Sequence, residues 1–107
     1  MSLPVEVYVV YKIKPYHSNL PIITIFYEKK SAYKFIISEV EYLLEEQSKN
    51  LSGLKGDKNK HIQKYKEFLK TNNELYYYGE YLDYYLYNEL EPYEIKYKIE
   101  SKIIQTY

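Results

Sequence analysis

The chain has 107 residues, and its fifteen acidic side chains are balanced by fifteen lysines, with no arginine and no cysteine. This is the usual size of one domain. The missing cysteines exclude a disulfide framework, a thiolate metal site and a thiol nucleophile, and they fit a reducing compartment. Without arginine, bidentate capture of phosphate or carboxylate is excluded and only point-charge lysines remain, which argues against phosphoryl transfer.

From Val5 to Ile13 apolar side chains recur at every second position (Val5, Val7, Val9, Tyr11, Ile13), with Glu6, Lys12 and Lys14 in the other register. That is the period of a β-strand, and the β-branched content agrees. Pro15 ends it, and Pro15 to Pro21 supplies turn chemistry before a second strand, Ile22 to Tyr27, pairs with the first as a hairpin. Ser31 reads as the N-cap of a helix whose apolar face is Tyr33, Ile36, Ile37, Val40, Leu43 and Leu44, with Lys34, Ser38, Glu41 and Glu45 opposite. Ser48 to Lys60, with two glycines, two asparagines and four lysines, reads as a mobile loop.

A second amphipathic helix is predicted from about Lys60 to Lys70 on Ile62, Tyr65, Phe68 and Leu69, and Asn72 with Asn73 marks its end. In the tyrosine-dense stretch that follows, Leu82, Leu86 and Leu90 recur every fourth residue. This favours a helix from about Glu80, stopped by Pro92, over a strand from Leu75 to Tyr78 that turns at Gly79. Tyr93, Ile95, Tyr97 and Ile99 then alternate with Glu94, Lys96, Lys98 and Glu100, giving a last strand with one polar face that extends toward Ile104. The expected fold class is α+β: one domain over 1–107, with a small antiparallel sheet made of the N-terminal hairpin plus the C-terminal strand, covered on one face by two or three helices.

Catalytic chemistry has little support. His17 and His61 are the only histidines, and neither has a partner at metal-ligand or acid–base spacing. No serine lies in a nucleophile elbow, and Leu54 to Lys58 lacks the spacing of a P-loop. Glu39 with Glu41, Glu45 with Glu46, and Glu80 with Asp83 are carboxylate pairs of the kind a solvated helix face carries. The reading is therefore no catalytic, cofactor-binding or metal-binding residue, with a site assembled from the histidines and scattered carboxylates as the enzymatic alternative.

Two features point to binding instead. There are 17 tyrosines, more than one small core can hide, and tyrosine is enriched at protein interfaces. Charge is also segregated: Lys49 to Lys70 is formally +5, with seven lysines against two acids, whereas Glu74 to Glu91 is −5, with five acids and no lysine. The expectation is a protein-interaction module that binds itself, as a homodimer, or another protein through Tyr77, Tyr78, Tyr81, Tyr84, Tyr85 and Tyr87, with Lys55, Lys58, Lys60, Lys64, Lys66 and Lys70 as a basic patch. Nucleic-acid binding through interleaved lysine and tyrosine is the alternative, against which stand zero net charge and the acidic stretch. The start of the chain lacks the features of a signal peptide and no apolar run approaches a membrane span, so an intracellular, soluble protein is expected. The A/T-rich codon usage behind its abundant Ile, Lys, Asn and Tyr is compatible with a virus, a phage or an AT-rich microbe.

Overall fold

The computed structural model describes residues 4–14, 18–49, 57–83 and 89–105. They form β1 (Pro4–Lys14), β2 (Ser18–Phe26), α1 (Lys29–Ser48), α2 (Lys58–Asn72), β3 (Glu74–Asp83) and β4 (Glu89–Gln105). The four strands make one antiparallel sheet in the order β2-β1-β4-β3, so the last strand returns against β1 and leaves β2 and β3 as edges. Fold class is as the sequence implied, with two helices. Among the described residues no helix is long and apolar enough to cross a membrane.

Strand register decides which residues reach the helices. Val10 pairs with Ile99 and Lys12 with Tyr97, while Leu75 pairs with Tyr97 and Tyr77 with Ile95. These residues share the sheet face on which α1 and α2 lie. On it, Val10, Ile95, Tyr97, Ile99, Leu75 and Tyr77 close against Ala32, Ile36, Ile37, Val40 and Leu44 of α1 and Ile62 and Leu69 of α2. Each large aliphatic side chain so buried contributes roughly 1.5–3 kcal/mol relative to exposure. The α1 residues expected to be wet, Lys34, Ser38, Glu41 and Glu45, are exposed. The β1 stripe of alternating apolar residues, by contrast, faces away from the helices. Val7 and Val9 are nonetheless buried there, because β1 is a central strand whose register places Ile25 on one side of Val9 and Glu100 on the other, with Lys102 beside Val7.

β2 begins at Ser18, inside the stretch expected to turn, and ends at Phe26, one residue short of the expected Tyr27; three further local expectations need correction. Ser31 is not the N-cap of α1: the helix starts three residues earlier, with Glu28 as an extended N-cap whose side chain makes no capping bond and whose carbonyl accepts from the Ser31 and Ala32 amides. The stretch from Ser48 to Lys60 is not all loop, since Ser48 ends α1, and α2 starts at Lys58 behind Asp57, whose carboxylate accepts from the Asn59 amide at 2.9 Å. The rest of that expected loop, 50–56, lies outside the described residues.

The third correction concerns Glu80 to Leu90. No helix begins at Glu80; β3 runs through Gly79 to Asp83 and pairs with the start of β4, with Leu82 opposite Leu90. The eight-residue separation of those two leucines looks like two helical turns in sequence, but here the two positions face each other across antiparallel strands. Pro92 is tolerated inside β4 because β1 pairs with β4 only from Lys96 onward, so at Pro92 one side of the strand is an edge. The 17-residue β4, at about 3.3 Å per residue, therefore carries a two-stranded ribbon beyond the body and accounts for most of the 61 Å long axis.

Asn73 ends α2 as expected, in the left-handed conformation (φ 54°) that asparagine tolerates. Its amide donates to the Leu69 carbonyl and its own carbonyl accepts from the Ile99 amide, both at 2.8 Å, while its side-chain Oδ1 accepts from the Tyr33 hydroxyl at 2.9 Å. One residue thus ties both helices to β4 at the point where β3 begins.

Candidate protein-binding surfaces

Among the described side chains, strand β2 exposes more large apolar residues than any other element: Leu20, Ile22, Ile23 and Ile25. Ser18 to Tyr27 contains no charged residue in a chain that is 28% charged, and the register places its side chains on both sheet faces. Thr24 and Phe26, opposite Val10 and Tyr8, turn toward the helices, and Phe26 stacks at 5.4 Å on Phe35 of α1. Ile23 and Ile25, opposite Tyr11 and Val9, lie on the open face at 54% and 55% exposure, with Ile22 equally exposed on the other face at 54%. Leu20 (78%) and Tyr27 (79%) flank them. As an edge, β2 also offers a row of backbone donors and acceptors that no strand of the sheet takes up. Natural edges are usually blunted by charge, by a bulge or by proline. Here charge is absent, while Pro21 and the register shift opposite it, between Lys12 and Lys14, confine the regular ladder to Ile22–Phe26.

The other edge is different. Beside β3, α2 leaves a groove of about 330 Å³ lined by His61, Lys64, Tyr65 and Phe68 from the helix and by Tyr76 and Tyr78 from the strand. Tyr76 and Tyr78 belong to the open face of the sheet, as the Lys96 ammonium 5.3 Å from the Tyr76 ring confirms for that register. The floor is aromatic: Tyr65 lies 6.0 Å from the core ring of Tyr77, and burial pushes the Tyr65 hydroxyl above the ordinary tyrosine pKa. Acidic positions Glu74, Glu80 and Asp83 stand along β3 itself.

The sequence-predicted site residues are dispersed by this architecture. Tyr77 is fully buried, its hydroxyl donating to the Leu43 carbonyl at 3.2 Å and to Gln47 Oε1, so it is a core residue and not a contact. Tyr78, its neighbour, points the other way and is 66% exposed. Tyr81 lies in the β3 ribbon opposite Glu91, and Tyr84, Tyr85 and Tyr87 fall outside the described residues. Of the basic patch, Lys55 also falls outside. The remaining five are on α2 but do not form one field: Lys58 is held by Glu45 of α1 at 2.7 Å, and at 3.6 residues per turn Lys60 and Lys64 flank the groove while Lys66 and Lys70 lie on the opposite flank. The Lys58 contact keeps the Glu45 carboxyl below its usual pKa. Ion pairs among the described side chains join α1 to β1 and to α2, and link neighbours at the end of α1 and within β4.

Three of the carboxylates named above have ion-pair partners: Glu39 takes Lys12, Glu45 takes Lys58 and Glu46 takes Lys49. His61 lines the groove, whereas His17 lies outside the described residues, and no group of three or more His, Asp or Glu is gathered among those described. What sequence reading missed is the exposed edge position of β2, not the strand itself. The available signal was a ten-residue stretch with no charge and apolar residues in both registers, which a half-buried interior-facing strand does not need. No protein family, curated protein or solved structure matches the chain.

Proposed function

We propose that this chain is a non-enzymatic protein-interaction module that receives an extended segment of its partner along β2. The observation that carries this reading is the uncharged edge, with Ile22, Ile23 and Ile25 each more than half exposed and no strand of the sheet on its outer side. Strand addition uses those two properties together: main-chain bonds supply affinity, and alternate side chains fill apolar surface on either face. The Tyr-rich acidic ribbon, with Tyr78 exposed at its base, is an auxiliary surface that can steer a basic partner. A polyanion is the poorer occupant, since the α2 lysines divide between two flanks and the adjacent ribbon is acidic.

A synthetic alternating Val-Thr decapeptide is the direct probe. Titrated into the protein, it is expected to slow amide exchange in Ile22–Phe26 while leaving the amides of β3 unchanged. Equal exchange of the β2 amides with and without saturating peptide contradicts the proposal.

A further inference from the structure

Resting on that reading of β2, we infer that the strand it receives is β2 of a second copy, joined antiparallel about a two-fold axis into a continuous eight-stranded sheet. In an antiparallel two-fold pairing each residue faces another position of the same strand in the second copy, so an edge whose charges all have one sign can bring only like charges together. Over Ser18 to Tyr27 there is no charge to meet. The charged positions of β3, by contrast, are all acidic: Glu74, Glu80 and Asp83. Self-pairing is therefore open to β2 and opposed at β3.

Leu20, Ile22, Ile23, Ile25 and Tyr27 are 78, 54, 54, 55 and 79% exposed. Their combined exposed area sets an upper limit on what edge pairing can bury, and the ~800 Å² per partner of a stable interface is the measure against which it stands. The apolar surface is also continuous with its surroundings. On the open face Ile23 and Ile25 run into Tyr11 and Val9 of β1, so pairing extends a stripe that already exists, while the charged half of that face, Lys96, Lys98, Glu100 and Lys102, stays two strands away.

Sedimentation from low to high micromolar protein, at low and high salt, tests the inference on wild type, Ile23→Lys/Ile25→Lys and Ile23→Thr/Ile25→Thr. The wild type is expected to dimerise and to remain dimeric in high salt, because screening weakens exposed charge pairs and leaves apolar burial intact. The lysine variant counts twice across the axis and should raise the dimer Kd by about 100-fold or more. The threonine variant keeps strand propensity and should raise it by about 10-fold, which decides the matter if the lysine variant fails to fold. A dimer unchanged by both variants, or one that dissociates in high salt, overturns the inference. A monomer at every concentration overturns it as well. In that last case, strand addition to β2 stands if the Val-Thr decapeptide still protects Ile22–Phe26 and falls only if it does not.

Discussion

Tyr77→Ala is expected to lower stability by about 3–5 kcal/mol, a large share of the roughly 5–15 kcal/mol available to a domain of this size. The ring is fully buried between α1 and the Tyr65 ring of α2, and its hydroxyl closes two hydrogen bonds onto the last turns of α1. Tyr77→Phe keeps the ring and loses those bonds, at a cost of about 1–2 kcal/mol. Tyr78→Ala, one residue on and two-thirds exposed on the opposite face, should stay within about 0.5 kcal/mol. Urea denaturation of the three variants checks the assignment. Because a one-residue slip of β3 would exchange the two tyrosines between faces, equal losses for Tyr77→Ala and Tyr78→Ala contradict this register.

The ion pair beneath α1 supplies the second large effect. Lys12 extends from the centre of the sheet to Glu39, with Nζ 3.0 and 3.2 Å from the two carboxylate oxygens and 5.8 Å from the Tyr97 ring, and its side chain is only 13% exposed. Glu39→Ala strands that ammonium among apolar neighbours. Complete burial of an unpaired charge costs about 3–5 kcal/mol, and because Glu39 itself is 26% exposed, a cost of about 1–3 kcal/mol is expected here. Lys12→Met alone leaves the carboxylate nearer solvent and should cost less. The double variant Lys12→Met/Glu39→Leu should recover most of the loss, since apolar residues can replace such a pair with little penalty. Additive losses in the double-mutant cycle would show that the pair is not coupled.

The elements best anticipated from sequence are those with one clean period and one buried face. The last strand is one, with Ile95, Tyr97 and Ile99 inside and Glu94, Lys96, Lys98 and Glu100 on the other face, and α1 is another. Sequence reading failed where two periods coincide. Leu82 and Leu90 satisfy a helical repeat and a hairpin pairing equally well, and only the fold decides between them. It also could not say which face of β1 meets the helices, because Val9 and Val10 are both apolar and a central strand buries both faces. Position in the sheet, which made β2 an edge, is set by the long-range pairing of β1 with β4, and no local pattern carries it. That is why the candidate contact surface was expected on the tyrosines instead of on the isoleucines of β2.

Amide hydrogen exchange as a function of protein concentration, without any added partner, bears most directly on the role of that edge. Self-pairing through β2 predicts that protection of Ile22–Phe26 rises with concentration while the amides of Glu74–Asp83 do not change. Protection that appears along β3 instead, or a β2 edge that exchanges at the same rate at every concentration, contradicts it.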